Sequence, residues 1–599
     1  MATSRLYRRG GFPWPRLPLG CFLLLGVFWS AIYPSRVPAQ VRRQENSIIS
    51  QEYFASLPLL YQGDYERAER GLDRARQGAI RSVDTRWIDS ICYFTMLGEL
   101  HRRIGDLKEA NQNYEAAVRL YIQYSDWMLR VQFSERLEPR GGAVAAPPWG
   151  NTKRRFRMGR FPDRFNIVRG GQRVVTFNDQ TAIANVNLLH PLHVDELVRC
   201  TCLAIRRRAE LLGPTARYDK LLQEVVKRLS AGQGPVNHWS RAWIDLQLGI
   251  AFSAMDRKDQ AIKALERSLL AAGEFDHPLS CIAMLELGRL AIQEANHAAA
   301  IRWLQEATYS AFYFERPEVL QEAFQLAHIV HLVQQGKGVY PPLVRALRWS
   351  HSQRLYELHA TLLTAAAESY AVQGDLKAAV GSLSQARRAV QRNDIEHGTI
   401  GAEFARVAAL VGYLTGDQHE ADKSLAAALD FMRQGSVRLF HIDMVDAAFT
   451  NGLVRERVAL ELYPQVLGDS TPFDWRYQPL QSLALMLAER PASMQNWFAA
   501  ATQRDDMLAT LDVIEQIRSR RFTSTLPLGG RLLNLRWILQ APETALPSAA
   551  VIQRNELVGR FPGYAKLAKQ AQQIRQEVKQ QPLFPDENKA ARQQADRMQ

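Results

Sequence analysis

The apolar positions of residues 97–117 follow a helical period twice, with a break between the two runs. The first run ends at Gly105, a residue type that adopts positive φ readily at the end of a helix. Asp106 and Glu109 then form a capping-box pattern that begins a second helix. The pattern predicts a hairpin of two helices.

Small residues on both predicted helices, Gly98 and Ala110, allow the two helices to cross closely. We expect Tyr114 to fill the space toward a neighbouring hairpin. A single hairpin of this kind cannot bury its apolar face, so the sequence should contain further copies.

Six copies of the arrangement are present along the chain. The small position of the second helix is occupied by Ala68, Ala110, Ala261, Ala300, Ala379 and Ala421. Four positions later come Leu72, Tyr114, Leu265, Leu304, Leu383 and Leu425. The turn position is occupied by Gly63, Gly105, Asp256, Ala295, Gly374 and Gly416. This signature resembles the tetratricopeptide repeat, over about residues 50 to 435 with gaps.

The resemblance implies an all-α fold, a right-handed α-solenoid of helical hairpins. Adjacent copies are 39 to 42 residues apart, longer than the roughly 34 residues of the family, so longer helices or loops are expected. In this family the first helix of each hairpin lines a concave groove that binds partner proteins. The positions that usually face the groove correspond to Glu99, Arg102, Arg103, Trp243, Arg289, Gln293, Thr364, Glu368, Arg406 and Tyr413. For Trp243 and Tyr413 the alternative is a place in the core between repeats, which is common for large aromatic residues at helical spacing.

The repeats occupy two blocks, residues 40–138 and 193–435, and other segments surround them. We interpret residues 1–39 as an export signal, because a basic start is followed by an uncharged run over 17–33 and then by small residues suited to cleavage. The alternative is an uncleaved membrane anchor over that run. Residues 436–560 are predicted to form a helical cap and residues 561–599 a polar tail, helical or disordered.

A basic insert over residues 139–192 separates the two repeat blocks. The chain has a net charge of +14, yet residues 140–173 contain nine basic residues against one acidic residue, and residues 1–43 contain seven arginines and no acid. Residues 165–177 predict two short strands joined at Gly170-Gly171. The arginines predicted to bind anions are Arg154, Arg155, Arg157, Arg160 and Arg164. The alternative is an ordinary solvated loop with its arginine stems packed on the array.

Candidate catalytic and metal-binding residues are sparse. His190 and His193 lie near Asp195 and Glu196, but Pro191 breaks the helix that would align them, so we expect no metal site. His328 and His331 are interpreted as structural or surface residues. No phosphate-binding glycine loop, zinc-protease helix or nucleophile elbow is present in the sequence. We therefore predict a protein without catalytic activity, cofactor or metal.

The sequence favours a bacterial scaffold of the periplasm or cell envelope that binds other proteins through the concave face of its array. The alternative function is binding of an anionic polysaccharide or lipid surface through the basic insert. The near-neutral charge of the array itself argues against nucleic acid as the partner.

Overall fold

A computed structural model describes residues 48–580, except 83–84, 143–144, 178–179, 233 and 505–506, together with 592–593 and 596. The predicted export signal lies outside the described residues. No helix within the described part of the chain is long and apolar enough to cross a membrane.

Helices make up most of the described structure, and six pairs of consecutive helices pack as hairpins within the first sixteen helices. These sixteen are α1 Gln51–Tyr61, α2 Tyr65–Gln77, α3 Ser90–Ile104, α4 Leu107–Gln123, α5 Val194–Leu212, α6 Lys220–Ser230, α7 Arg241–Ala254, α8 Lys258–Arg267, α9 Ser280–Gln293, α10 His297–Tyr313, α11 Pro317–Val333, α12 Pro341–Ser352, α13 Tyr356–Val372, α14 Leu376–Val390, α15 Thr399–Thr415 and α16 Gln418–Gly435. The C-terminal region contains α17 Val437–Thr450, α18 Glu456–Leu467, α19 Pro472–Tyr477, α20 Pro479–Leu487, α21 Pro491–Thr502, α22 Met507–Ser524, α23 Arg531–Gln540, α24 Ser548–Arg560 and α25 Pro562–Gln580. The fold is an all-α array of repeats, as predicted.

The repeat signature defines the packing within each hairpin. All six signature alanines of the second helices have no exposed surface. All six turn positions have positive φ, including the non-glycine residues Asp256 and Ala295. At Gly98, Gly249 and Gly288 an added Cβ would lie within 3 Å of the large residue on the second helix. The small residue of one helix therefore contacts the large residue of the other.

Tyr114 packs against the first helix of its own hairpin. Its ring packs on Gly98 of its own hairpin, where a Cβ would come within 2.6 Å of Tyr114 Cε1. Its hydroxyl donates to Glu99 at 2.6 Å. The missing side chain at Gly98 leaves room for the ring, and the Glu99 oxygen that its hydroxyl bonds also accepts from Arg207 of α5 at 3.0 Å. The expectation that the ring fills space toward the neighbouring hairpin stays a prediction.

The array curves until its first hairpins meet its later ones. The Asp394 amide donates to the carbonyl of Gly63 at 2.8 Å, and Asp394 in turn accepts from the amide of Tyr65 at 3.0 Å. The Tyr65 hydroxyl donates to Glu357 of α13 at 2.6 Å. These contacts place the start of the array against α13 and the loop before α15, so part of the inner face is covered by the array itself.

Short strands accompany the helices, mainly in the insert. They are β1 Arg81–Ser82, β2 Thr85–Arg86, β3 Val131–Gln132, β4 Glu138–Pro139, β5 Arg157–Arg160, β6 Phe165–Phe177, β7 Gln180–Leu192 and β8 Phe275–Asp276. Strands β6 and β7 pair antiparallel along their whole length, and β3 adds to β6. Strand β5 pairs with β4 and, in parallel, with β8 of the array.

The insert hairpin differs in register from the prediction. Strand β6 continues through Gly170-Gly171, and Phe177 pairs with Gln180, so the chain reverses after residue 177 and not at the glycines. Asn178 and Asp179, which separate the strands, are turn-forming residue types. Glycine weakens a strand interior but does not end it, so the pair lies within a paired strand here.

Aromatic side chains dock the insert on the array. The Trp149 ring has edge contacts with Phe312, Phe324 and Trp349, and its Nε1 donates to Thr308 at 3.0 Å. Farther along, Phe161 packs between Trp239 and Trp243. The base of the insert is therefore held in place by buried rings.

Candidate functional site

The inner face formed by α3, α5 and α9 is closed by ion pairs. Glu99 is 2% exposed and accepts from Arg207 at 3.0 Å and from Arg103 at 3.2 Å. Arg103 also bonds Glu357 of α13 at 3.2 Å. Burial opposes ionisation of Glu99, but the guanidinium groups of Arg207, Arg102 and Arg103 outweigh it and hold its pKa well below the usual range.

The same network continues along α5 toward α9 and α11. Glu322 accepts from Arg206, from Arg207 at 3.1 Å and from Arg289 at 2.7 Å. Glu210 pairs with Arg207 at 2.6 Å and with Arg289 at 2.6 Å. We call this set the inner charge network, comprising Glu99, Arg103, Arg206, Arg207, Glu210, Arg289, Glu322 and Glu357.

Residues predicted to bind a partner therefore include several that already have intramolecular partners. Glu99, Arg103 and Arg289 belong to the inner charge network, and Arg102 lies beside Glu99 at 3.4 Å. Because Arg103 is buried between Glu99 and Glu357, it cannot share an exposed surface with the arginines of the insert.

Trp243, Gln293 and Tyr413 lie apart from one another. Trp243 has no exposed surface and donates from Nε1 to His277 Nδ1 at 3.2 Å, so no surface of its ring is open to a partner in this conformation. Gln293 lines a separate cavity of about 280 Å³ beside Arg289. Tyr413 is 45% exposed and donates to Asp422 at 2.6 Å.

A groove of about 950 Å³ opens on the first-helix face of α11, α13 and α15. We call it the C-terminal groove. Its α11 and α13 walls are apolar at Ile329, Leu332 and Val372, and the opposite side is formed by α16 and the segment 475–481. Its lining residues include Gln325, Ile329, Leu332, Val333, Gln335, Glu368, Val372, Gln373, Glu403, Arg406, Phe431, Trp475, Arg476, Gln478 and Gln481.

Two predicted residues, Glu368 and Arg406, meet in this groove. Arg406 Nη2 lies 2.6 Å from Glu368 Oε1 and 2.5 Å from Glu403 Oε1, and the other Glu368 oxygen lies 3.2 Å from His328 Nε2. Burial opposes ionisation of Glu368, but Arg406 and His328 hold its pKa at about 2. The groove therefore contains a fixed charged cluster beside an apolar wall.

A smaller cavity of about 210 Å³ continues from this groove toward Arg102. It shares Glu368 and Glu403 with the groove and is lined by Thr364, whose buried hydroxyl has no partner among the described residues. Arg102, Thr364, Glu368 and Arg406 thus follow one connected path.

His328 also lies 3.4 Å from the Ser369 hydroxyl, which completes a serine, histidine and carboxylate arrangement. Ser369 has no exposed surface, and His328 is 2% exposed. A serine nucleophile must reach a substrate carbonyl. The arrangement here is enclosed, so it supports helix packing and not acyl transfer.

Of the five insert arginines predicted to bind anions, one is partly buried and four are exposed. Arg154 bonds Asp276 at 2.9 Å and stacks over Phe156, so it holds the insert to the array. Arg155, Arg157, Arg160 and Arg164 are exposed. Arg157 lies 3.7 Å from Glu274, a surface pair.

The histidines near the second repeat block serve structural contacts. His190 lies in β7 against Trp87, whereas His193 precedes α5 and packs on Phe54. Asp195 and Glu196 pair with Arg316. Among the residues that the structure describes, no group of three or more histidine, cysteine, aspartate or glutamate side chains could hold a metal ion.

Two parts of the C-terminal groove were not predicted from the sequence, the segment 475–481 and the apolar wall at Ile329 and Leu332. Pro472 and Pro479 mark helix starts in the sequence, but nothing local shows that Trp475 faces α11. The apolar wall belongs to a repeat that lacks the signature, so its first-helix positions could not be aligned.

The chain matches the family model described as tetratricopeptide repeat over residues 59–123, which covers most of the first two hairpins. No curated protein sequence matches the chain significantly.

Proposed function

We propose that this chain, a tetratricopeptide-repeat protein, binds a partner protein by holding an extended segment of it in the C-terminal groove. Tetratricopeptide repeats act in protein–protein interactions, and proteins built from them are generally non-enzymatic scaffolds. The observation that carries the proposal is the groove of about 950 Å³ on the first-helix face, beside a region where the same face is closed.

The chemistry of the groove suits a polypeptide backbone with an apolar side chain. Gln325, Gln335 and Gln478 line it, and an amide side chain both donates and accepts hydrogen bonds, as an extended backbone requires. Leu332 and Val372 offer apolar surface between these amides. Volumes of this order are typical of sites that enclose a ligand.

Site-specific photo-crosslinking tests the groove. A photoreactive phenylalanine analogue at Val372, which is 41% exposed in the groove, should capture a partner from cell extract. The matched position is Val380, which is 47% exposed on α14 and is not among the residues lining the groove. Val372→Trp should reduce partner retention at least tenfold, and Val380→Trp should not. Equal capture at both positions would contradict the proposal.

The cellular location of the protein is part of the same proposal. The basic, then uncharged, start of the chain supports export to the bacterial periplasm or cell envelope. Fractionation should place the protein in the envelope, and sequencing of the mature N-terminus should begin at Gln40. A cytoplasmic protein that retains Met1 would contradict export, and a membrane-bound protein that retains residues 17–33 would favour the anchor.

A second function, anion binding by the insert, is favoured by one observation. Arg155, Arg160 and Arg164 are exposed on a segment that Trp149 and Phe161 anchor to the array. Basic residues that are fixed together on one surface attract an anionic polysaccharide or lipid more strongly than the same charges scattered over the protein.

Retention on heparin and on anionic vesicles tests this surface. The triple variant Arg155→Gln, Arg160→Gln and Arg164→Gln should elute at lower salt than the wild type, because the contact is electrostatic. The control triple variant is Arg67→Gln, Arg433→Gln and Arg457→Gln, which removes the same charge at exposed positions elsewhere. Identical elution of the two variants would overturn the second function.

A further inference from the structure

A cavity of about 400 Å³ lies among the C-terminal helices, bounded by α20, α21, α22 and the start of α23. We call it the cap cavity. Of its lining residues, only Trp475 also lines the C-terminal groove. Its volume is within the range of sites for small ligands.

Two hydrogen-bond donors that line the cap cavity lack acceptors. Arg520 Nη1 and Trp475 Nε1 are buried, and neither has a hydrogen-bond partner among the described residues. A buried donor without an acceptor is costly, and such groups are rare in folded proteins. Both groups would be satisfied by one acceptor-bearing molecule in the cavity.

The charges around the cavity define the sign of that molecule. Among the described residues that line it, Arg520 and Arg531 stand against one carboxylate, Asp469, which leaves one excess positive charge. Burial lowers the pKa of Arg520, with only partial compensation from Asp469. Arg531 stacks on the Trp475 ring, with its guanidinium carbon 3.9 Å from the ring centroid.

The remaining surface of the cavity is mixed, with polar side chains such as Gln516, Ser519 and Asn534 beside an apolar patch. The patch is formed by Leu485, Met486, Met494 and Trp497. An inorganic anion would leave this patch without contacts. An ion with two negative charges would exceed the one uncompensated positive charge.

We propose that the cap cavity binds a monocarboxylate with an apolar body. The carboxylate accepts hydrogen bonds from Arg520 and Trp475, and the apolar body packs against Met486 and Trp497. A planar guanidinium suits a carboxylate because it presents parallel donors to the two oxygens. The molecule is either a free carboxylic acid or the C-terminal residue of a polypeptide with an apolar side chain.

Calorimetric titration of the full chain with 3-phenylpropionate and with hexanoate tests the proposal. Binding should be at least tenfold tighter than that of the neutral amides of the same acids and than that of inorganic phosphate. A short peptide ending in phenylalanine, with a free or an amidated C-terminus, separates the two sources. Tight binding of the free peptide identifies a polypeptide end, whereas binding of the small acids alone identifies a free acid.

Substitutions test whether the carboxylate binds in the cap cavity. Arg520→Met should weaken carboxylate binding at least tenfold and raise the melting temperature of the unliganded protein, because it removes a buried charge without a partner. Trp475→Phe retains the ring and should weaken binding severalfold. Arg518→Met is the matched control on α22, where the side chain is 74% exposed and pairs with Glu515, and it should leave binding unchanged.

Three results would overturn the proposal. The first is no carboxylate binding to the wild type. The second is equal binding of acid and amide or of inorganic phosphate. The third is unchanged carboxylate binding in Arg520→Met. Blocking the C-terminal groove with Val372→Trp should leave carboxylate binding intact, so this test is independent of the proposed partner groove.

Discussion

Two stretches of the same inner face differ in the space that they leave for a ligand, about 280 Å³ beside Arg289 and about 950 Å³ in the C-terminal groove. In the inner charge network three carboxylates, Glu99, Glu210 and Glu322, are each shared by arginines from two helices. Along α13 and α15 one arginine, Arg406, serves two carboxylates at the wall of an open groove.

Helix α11 contains the boundary between the two stretches. Its first half contributes Glu322 to the closed network, whereas its second half contributes Ile329 and Leu332 to the groove. The hairpins that have the repeat signature share buried alanines and positive-φ turns on both sides of this boundary, whereas α11 belongs to a repeat that lacks the signature. The curvature of the array and this divergent repeat together distinguish the two stretches.

Matched substitutions in the two stretches should give the largest difference. Glu99→Gln leaves Arg103 and Arg207 with an uncompensated buried charge and should lower the free energy of unfolding by about 3–5 kcal/mol. Glu403→Gln removes a carboxylate that is 34% exposed, and the loss should be about 0–1 kcal/mol. Urea denaturation of both variants measures the two values. Similar losses would contradict the distinction between a closed and an open stretch.

The sequence predicts contacts within a hairpin, but it does not predict contacts that depend on the curvature of the array. Ala110 and Gly105 could be placed because a hairpin fixes their environment within a few residues. The contact between Arg103 and Glu357 joins positions 254 residues apart, and no pattern near either residue predicts it. Such a contact follows from the summed rotation of all intervening hairpins.

The groove shows the same limit. Glu368 and Arg406 were found because they belong to hairpins with a clear signature, and their neighbour relation follows from the stacking of those hairpins. Trp475 was not found, because the cap that contains it has no repeat to align it with. The position of the insert turn was also predicted wrongly, because Gly-Gly is a frequent hairpin turn but here it lies inside β6, paired with Asn187 and Val186.

Mild acid should lower the stability of the protein through His277, which packs against Phe161 of the insert. His277 Nδ1 accepts from Trp243 Nε1, and its Nε2 lies 2.6 Å from the Ser268 carbonyl. Burial lowers its pKa to about 4. An unfolded histidine titrates near 6.5, so acid protonates the unfolded chain first. Stability is therefore complete above about pH 6.5 and falls as the pH drops toward 4.

The expected loss from His277 is on the order of 2 kcal/mol at pH 5. Urea denaturation between pH 7 and pH 5 measures it, and His277→Gln should flatten the pH dependence by that amount. His359, whose pKa burial and His351 also lower to about 4, is present in both proteins and cancels in the comparison. An unchanged slope in His277→Gln would show that another group causes the acid effect. Because the groove walls contain no part of this cluster, partner binding per folded molecule should not change over the same range.

The smallest predicted change in the free energy of unfolding should be equal for turns in the closed and the open stretch, because it depends only on turn geometry. Ala295 lies in a turn that is remote from the groove and has a φ of 55°. Gln335 lies in a turn at the groove and has a φ of 56°. A residue with a Cβ is strained there, and glycine is not, although glycine gains more freedom in the unfolded chain. Ala295→Gly and Gln335→Gly should each raise the free energy of unfolding by about 1 kcal/mol, measured by urea denaturation.

The control for these turns is Ala426→Gly, at an exposed position in the middle of α16, which should lower stability by about 0.5–1 kcal/mol. Gains of equal size at Ala295 and Gln335 would mean that the hairpins on the two sides are locally equivalent. Opposite signs at the two turns would contradict that equivalence and would place the cause of the open groove within the hairpins. Only Gln335→Gly also alters the groove lining, so a change in partner retention that appears there and not in Ala295→Gly separates the binding surface from the fold that supports it.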